Sequence, residues 1–350
     1  MAILFCGAGF GHSDMKRQTT ASTASFFGGC SSGFFILRAL LIAALAAGSA
    51  FAADGVIEIN QARALAGGVT EGDEPGFPVT LAESGGYLLT GNLLIESAST
   101  TAIEITASTV DLDLNGFTIE GPIVCDFEER GDSCTEGSGG WGVAVGPAAP
   151  GSRVHDGSIR GMGAGGVNAG STSIISAVTV TGTGGTGISV AGGIVENCMV
   201  LVNHGIGITA VSAVVRANMV ARNGGFGISA FTSNVLDNHV MGNRGGISQS
   251  GPAVLTGPSV PARIHGNVVA DNEENGIDCG SCTVLDNAIF DNGDLQLNMR
   301  PDGDGAWGGN NLSCCTDGSP FLNLFSVPEN VHEVAPNSCN GARCFDLSGI

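Results

Sequence analysis

The stretch that decides the fold is Asn218-Met219-Val220-Ala221-Arg222-Asn223, because its pattern returns 20 residues later as Asn238-His239-Val240-Met241-Gly242-Asn243. The pattern occurs twice more, at Asn267–Asn272 and at Asn287–Asn292. The asparagines therefore form two series with a common period, and the members are Asn218, Asn238, Asn267 and Asn287 in the first, and Asn203, Asn223, Asn243, Asn272 and Asn292 in the second. A fixed period of about twenty residues indicates stacked, equivalent structural units.

Apolar residues keep the same period as the asparagines. They form three columns, which are Val195, Val215, Val235, Ile264 and Val284; Val200, Val220, Val240, Val269 and Ile289; and Ile208, Ile228, Ile247 and Ile277. Three columns predict three short strands per coil, each paired in parallel with its counterpart about 4.8 Å along the axis. The asparagines are expected to stack at the turns and to hydrogen-bond from coil to coil. The sequence therefore predicts an all-β fold, a parallel β-helix (β-solenoid) of about twenty-residue coils.

The extent of the repeat predicts how the chain is organised. We expect an N-terminal cap and first strands over 53–107, the parallel β-helix over 108–300, and a disulfide-rich C-terminal cap over 301–350. Insertions are expected at about 121–151 and at 250–261, where the period is interrupted. Asn60 is placed to cap a short helix over Gln61–Ala66, which would cover the N-terminal end of the solenoid.

The first 52 residues are typical of a secretory signal peptide. Positive charge surrounds the apolar run Phe34–Ala47 and comes from Lys16, Arg17 and Arg38. Ala50-Phe51-Ala52 then gives the small–x–small pattern that signal peptidase accepts. A retained membrane anchor is the competing interpretation, but the run is shorter than the ~20 residues that span a bilayer. We expect a secreted protein (extracellular, periplasmic or cell-surface) with no stable membrane span after cleavage, and the start codon stays open between Met1 and Met15.

Composition and charge limit the classes of molecule that the protein is expected to bind. The chain has 57 glycines, 5% aromatic residues and a formal net charge of −20. Such an acidic surface repels nucleic acid and anionic membranes. Cations, neutral glycans, or a metal ion bridging to an anionic polymer would suit it.

Cysteines in an exported protein are disulfide candidates. The local pairs Cys125–Cys134 and Cys339–Cys344 are expected to be bridged. The connectivity of the others stays open, and these are Cys279, Cys282, Cys314 and Cys315. Cys198 takes the place of an asparagine in the first series, so we expect a buried free thiol with no catalytic role.

Several strings outside the asparagine coils resemble a known architecture. They are Val110–Ile119 (VDLDLNGFTI), Gly157–Gly163 (GSIRGMG) and Asn337–Cys344 (NSCNGARC). Together with the Asn-x4-Asn coils, they make the chain similar to the secreted bacterial right-handed parallel β-helix repeat proteins of pectate-lyase-like architecture. The resemblance implies right-handed coiling and export. It does not imply one function, since this architecture carries lyases, hydrolases, epimerases and non-catalytic adhesins.

Two groups of residues are candidate sites. Asp271 and Asp291 share one outward register on successive coils, so a Ca²⁺ between them is one hypothesis, and two solvated carboxylates are the other. His155, Asp156 and Arg160 lie close along one coil and could supply an acid–base pair with a clamp for a substrate carboxylate. A structural salt bridge is the alternative role for Arg160.

The sequence is compatible with two functions. The first is a module that binds a glycan or another extracellular polymer along its repetitive face. The alternative is a calcium-dependent polysaccharide lyase, or a related sugar-modifying enzyme, acting on an outer face of the solenoid. The adjacent Asp-Asp and the Gly-His-Gly that a hydrolase of this architecture would use do not occur.

Overall fold

The computed structural model describes residues 55–126, 133–135, 137, 139–170, 172–249, 262–300, 305–313, 325–326, 331–339 and 342–343. The chain divides into Met1–Ala52 and Ala53–Ile350, and the strands belong to the second unit. The expected signal peptide and the expected insertion at 250–261 lie outside the described residues, as do Cys314, Cys315 and Cys344. No helix of the described part is long and apolar enough to cross a membrane.

The described chain is an all-β parallel β-solenoid, as the period predicts. Its strands, numbered along the chain, make a sheet of 22 strands and a sheet of 11. Within the larger sheet two rows alternate along the chain, because each coil contributes two strands to it, and the smaller sheet is the third row. Every pair is parallel except the terminal pair of Ser338–Cys339 with Ala342–Arg343.

The first row contains β1 (Ile57–Ile59), β3 (Gly85–Leu89), β6 (Val110–Asp113), the N-terminal halves of β9 (Arg153–Arg160) and β11 (Ile174–Thr181), β13 (Ile194–Glu196), β16 (Val214–Arg216), β19 (Asn234–Leu236), β22 (Ala262–His265), β25 (Cys282–Leu285), β28 (Ala306–Gly308) and β31 (His332–Glu333). The second row contains β4 (Leu93–Leu94), β7 (Thr118–Glu120), the C-terminal halves of β9 and β11, β14 (Met199–Leu201), β17 (Met219–Ala221), β20 (His239–Met241), β23 (Val268–Ala270), β26 (Ala288–Phe290), β29 (Asn311–Ser313), β32 (Ser338–Cys339) and β33 (Ala342–Arg343). The third row contains β2 (Val79–Leu81), β5 (Ile103–Ile105), β8 (Trp141–Val145), β10 (Gly165–Ala169), β12 (Thr186–Ala191), β15 (Ile208–Val211), β18 (Phe226–Phe231), β21 (Gly245–Gln249), β24 (Ile277–Cys279), β27 (Leu297–Met299) and β30 (Phe325–Ser326).

The core consists of the apolar columns that the sequence shows. Val200, Val220 and Val240 are fully buried and lie directly opposite one another in register. Since side chains alternate along a strand, their neighbours on either side point outward. Burial of each valine contributes about 1.5–3 kcal/mol relative to leaving it exposed.

A two-residue corner joins the first row to the second, and the longer connection from the second row to the third begins with a corner of the same kind. Its first residue has a positive φ, as Asp237 (56°) and Arg222 (54°) do, and its second is the buried asparagine. Asn, Asp and Gly tolerate this left-handed conformation best, because it brings Cβ close to the backbone in most other residues. The corner accounts for the Asp-Asn and Gly-Asn pairs of the sequence.

The buried asparagines hydrogen-bond in continuous ladders. The Asn238 Oδ1 accepts from both the backbone N–H (3.0 Å) and the Nδ2 (2.9 Å) of Asn218 in the preceding coil. The Asn238 Nδ2 then donates to the Oδ1 of Asn267 (3.0 Å), and the second ladder repeats the arrangement from Asn203 to Asn292. Each ladder therefore satisfies the buried amide groups at its corner, which would otherwise lack partners.

Both ladders end on side chains that replace the next asparagine. The second ladder ends at Gln296, whose Oε1 accepts from the N–H and the Nδ2 of Asn292. The first ladder continues through Asn310 and Asn337 and ends at the Glu333 carboxylate. The corner geometry therefore persists beyond residue 300, where the cap was expected to begin, while the coil spacing changes.

The expected insertion at about 121–151 is also shorter than predicted. It contains β8, which pairs in register with β5 and β10 and belongs to the third row. This coil was missed because it lacks the corner asparagines. Cys125 and Cys134, which precede β8 in this stretch, form a disulfide, and this confirms the expected pairing.

The N-terminal helix α1 (Gln61–Ala66) forms where it was expected. The Asn60 side chain accepts a hydrogen bond from the N–H of Arg63 (3.1 Å), which satisfies one of the free amides of the first turn. Gly67 ends the helix at φ 74°, and its N–H donates to the carbonyl groups of Arg63 and Ala64.

Two further cysteine assignments follow from the structure. Cys279 and Cys282 are bonded to each other, and both are fully buried. Cys339 is disulfide-bonded as well, whereas its expected partner lies outside the described residues. Cys198 is a buried free thiol, as predicted, and burial raises its pKa to about 12.

We expect Asn238→Ala to lower the free energy of unfolding by about 3 kcal/mol, because the N–H and Nδ2 of Asn218 lose their shared acceptor. Urea denaturation followed by circular dichroism measures this loss. The matched control is Asn234→Ala, whose side chain is exposed on β19, and it should stay within about 0.5 kcal/mol of the wild type. Equal effects of the two substitutions would contradict the stabilising role of the ladder.

The Cys198 thiol should resist alkylation in the native protein at pH 8, because both its burial and its raised pKa keep it neutral. Iodoacetamide treatment before and after unfolding in urea, with mass spectrometry of the Cys198 peptide, measures this protection. Because the folded state favours the neutral thiol, its stabilising effect is complete below the unfolded pKa of 9.0 and is lost as the pH rises toward about 12. Rapid native labelling would show that the corner opens.

Candidate functional site

The outward side chains of the first row form a continuous surface, which we call the first-row face. It consists of two columns, which are Asp111, Arg153, Ile174, Ile194, Val214, Asn234 and Arg263; and Asp113, His155, Ser176, Glu196, Arg216, Leu236 and His265. Neighbours within a column belong to successive coils and lie about 4.8 Å apart. The face is therefore a regular array in which residues distant in sequence become neighbours.

His155 is the centre of a polar cluster on this face. Its Nδ1 lies 2.7 Å from the Asp156 Oδ2 and 3.9 Å from the Asp113 Oδ1, and its Nε2 lies 3.1 Å from the Asp111 Oδ1. The His155 side chain is only 10% exposed, whereas those of Asp111 and Asp156 are 57% and 60% exposed. Three carboxylates thus orient one nearly buried imidazole.

The strand pattern explains why this cluster forms. Asp111 and Asp113 alternate on β6 and both point outward, and the register places Asp113 opposite His155 on the next coil. Asp156 follows at the corner with φ 57°, which turns its carboxylate back toward the imidazole. Asp113 also accepts from the backbone N–H of Asn115 (2.6 Å), which places it in a turn as well. Asp111 contacts His155 from the far side of the ring.

The cluster has two chemical capabilities. An imidazole with a carboxylate at each nitrogen can be oriented for proton transfer, and the doubly protonated ring could donate to both carboxylates. Asp113, His155 and Asp156 each offer one ligand atom within 4.8 Å of the others, so they could also hold a metal ion. Among the described residues this is the one group of His, Cys, Asp and Glu side chains with that geometry.

The expected trio of His155, Asp156 and Arg160 is only partly assembled. His155 and Asp156 meet, but Arg160 lies beyond the corner on the second row, where it pairs with Glu120 (2.8 Å). The structural salt bridge, the alternative for Arg160, therefore exists. The arginine next to His155 on the first-row face is Arg153, which the sequence analysis missed.

The arrangement around His155 recurs further along the same face. Arg263 and His265 occupy the two columns in the same order as Arg153 and His155, five coils later. The His265 Nε2 contacts the carboxylate of Asp286 at 3.2 Å, at the corner of the following coil. The identical Arg-x-His spacing in both strands was available in the sequence as the signal for this pair.

Neither arginine of the two pairs has an acidic partner among the described residues, whereas others on the solenoid do. Arg216, between the two pairs on the same face, is bonded to Glu196 through its Nε (2.7 Å). Arg300 and Asp278 form an ion pair on the third row, so the Asp278 carboxylate is already engaged. Arg153 and Arg263 are thus guanidinium groups available on the first-row face.

Asp271 and Asp291 lie at equivalent corners of successive coils. They follow β23 and β26, which pair in register, and both are exposed with φ 54°. This backbone conformation by itself favours aspartate, as it does at Asp237 and Asp286. The corner conformation therefore explains both aspartates without a ligand, and the Ca²⁺ site between them stays a hypothesis.

The metal hypothesis predicts that Asp291→Gly abolishes saturable Ca²⁺ binding without loss of folding, because glycine keeps the left-handed corner and removes the carboxylate. Isothermal titration calorimetry with CaCl₂ on the wild type and on the Asp291→Gly variant measures the difference in Ca²⁺ binding. Asp286→Gly, at the other corner of the same coil, is the matched control. Identical titrations of all three proteins would remove the hypothesis.

Comparison with known proteins gives the fold and no family. No family model and no curated protein matches the sequence. Among solved structures, the A-module of mannuronan C-5 epimerase AlgE4 from Azotobacter vinelandii is similar at 15% identity and a TM-score of 0.54, over 74% of this chain and 87% of that chain. A double mutant of the periplasmic alginate epimerase AlgG is similar at 13% identity and 0.51, over 74% and 76%. The Dettilon tailspike protein is 14% identical with a TM-score of 0.47, and the match covers 71% of this chain and 61% of the tailspike chain.

Proposed function

We propose that the protein binds an extracellular polysaccharide along the first-row face, with the polymer lying along the solenoid axis. The observation that carries the proposal is the repetition of the Arg-x-His pair, at Arg153–His155 and again at Arg263–His265. The pairs are five coils apart, or about 24 Å at the strand spacing of a parallel sheet. Several sugar units would span that distance, so one chain could contact both pairs.

The chemistry of the face suits a chain with both hydroxyl and acidic groups. Arg153 and Arg263 can donate two parallel hydrogen bonds to a carboxylate or a sulfate. Between them the face offers the exposed Asn234 side chain and apolar surfaces, which suit sugar hydroxyls and ring faces. Because the whole chain carries a formal charge of −20, binding of an acidic polymer should depend on these local cations and weaken in salt.

The fold and the expected export are consistent with such a role. Two structural neighbours are a mannuronan C-5 epimerase and an alginate epimerase, so a fold of this kind accommodates a polysaccharide in those proteins. The signal-peptide pattern and the disulfides Cys125–Cys134 and Cys279–Cys282 suit an extracellular or periplasmic protein. The repeated Arg-x-His pairs support the first-row face as the binding surface.

Affinity electrophoresis in gels that contain alginate, polygalacturonate or a neutral glucan tests the proposal. We expect retardation by at least one polymer, and at least a fivefold weaker affinity for Arg153→Ala and for Arg263→Ala. Arg222→Ala removes an exposed arginine at a corner outside the face, so it is the matched control for charge. Equal losses in all three variants, or no retardation by any polymer on a wider glycan array, would contradict the proposal.

The calcium-dependent lyase, or a related sugar-modifying enzyme, is the second candidate, and the His155 cluster favours it. An imidazole fixed by Asp111 and Asp156 beside Arg153 resembles a proton-transfer group next to a carboxylate clamp. A lyase would produce unsaturated sugars that absorb in the ultraviolet. Their formation is measured by absorbance, both with and without added Ca²⁺. Product formation that His155→Gln abolishes, while polymer binding remains, would favour catalysis over binding alone.

A further inference from the structure

We infer that Met199, Met219, His239 and Met241 form a binding site for a soft monovalent cation, Cu(I) or Ag(I). We call them the methionine–histidine cluster. They lie on the outward surface of the second row and share no residue with the first-row face. The inference is independent of polysaccharide binding.

The register brings these four side chains together. Met199 lies opposite Met219 on the next coil, and Met219 lies opposite His239 on the coil after that. Met241 follows two residues after His239 on the same strand, so it points to the same side. Opposed positions are about 4.8 Å apart, and alternate positions along one strand are about 7 Å apart. Flexible thioether side chains can converge over such distances, because methionine has three rotatable bonds.

Exposure leaves these groups accessible. Met199 and Met219 are 43% and 40% exposed, and His239 is exposed as well. In the described part of the chain, the His239 imidazole makes no hydrogen bond or ion pair, unlike those of His155 and His265. The cluster therefore presents sulfur and nitrogen ligands that have no structural partner.

The methionines of the described chain divide into a buried group and an outward group. Of the five methionines among the described residues, Met162 and Met299 are fully buried. The other three lie in this cluster, within three successive coils. The flanking coils carry Thr179 and Val268 at the matching positions, so the ligand-bearing stretch is bounded on both sides. Core packing explains the presence of Met162 and Met299, but it does not explain the three outward methionines.

The donor set selects the class of cation. Thioether sulfur is a soft ligand that favours Cu(I), and imidazole binds copper readily. Ca²⁺ and Mg²⁺ prefer oxygen ligands, which these four side chains do not offer. Thioethers bind without losing a proton, and the acidic charge of the protein attracts any cation. The fold requires no particular side chain at these outward positions, and the donor set found there fits a soft metal ion.

Titration of the secreted chain with Cu(I), in ascorbate and with bicinchoninate as competitor, tests the inference. Accessible thiols are first blocked with N-ethylmaleimide, and burial shields the Cys198 thiol, so that cysteine ligands do not contribute. We expect one site per chain, with affinity at least tenfold weaker in Met219→Leu and in His239→Gln. Met299→Leu and His332→Gln change a buried methionine and an exposed histidine elsewhere, and they should bind as the wild type does.

A second measurement does not depend on the variants. Ag(I), which is redox-inert here, should protect Met199, Met219 and Met241 from oxidation by hydrogen peroxide, because a coordinated sulfur cannot attack the peroxide. Peptide mass spectrometry reports each methionine separately, and we expect at least fivefold slower oxidation of Met219 in saturating Ag(I). Absence of saturable Cu(I) binding, or unchanged oxidation with Ag(I), would overturn the inference.

Discussion

The rest of the structure depends on the shared acceptor at each corner, where one asparagine oxygen receives both the backbone N–H and the side-chain amide of the coil before it. A sharp bend inside a solenoid buries backbone amides that no strand can satisfy, and each unpaired group costs about 1–3 kcal/mol. The Asn238 Oδ1 satisfies two such groups of Asn218 at once. Because every asparagine is both donor and acceptor, each coil fixes the position of the next. The ladders therefore hold the coils from Asn203 to Asn337 in register.

A fixed register has a consequence for the surface. Once each coil lies directly above its neighbour, an outward residue always faces the same residue of the coil before and of the coil after. Functional side chains therefore line up in columns along the axis. His155 lies opposite Asp113 in this way, although the two are far apart in the sequence. Met219 meets His239 by the same rule, with no irregularity between them. The two candidate sites thus arise from one geometric constraint acting on different rows.

The same constraint explains how much could be predicted from the sequence. The coils from Val195 to Asn292 could be predicted, since their period is carried by corner asparagines and buried valines together. The coil that contains Trp141–Val145 could not, because it has no corner asparagine to mark it. Asn310 and Asn337 were missed for a different reason, since the ladder spacing there changes to 23 and 27 residues. Asp111 and His155 are 44 residues apart in the sequence, so a period of about twenty residues could not predict their contact.

Position within the coil also determines which acidic residues carry functional information. At a corner the backbone itself favours Asp, Asn or Gly, so Asp271 and Asp291 have a structural explanation that needs no ligand. No such preference acts on an outward strand position, where the backbone accepts almost any side chain. Arg153 and His155 have no backbone reason to be where they are, and neither do Arg263 and His265. Residue types repeated at outward strand positions are therefore the stronger signal of function in this fold, and the Arg-x-His pairs meet that condition while the corner aspartates do not.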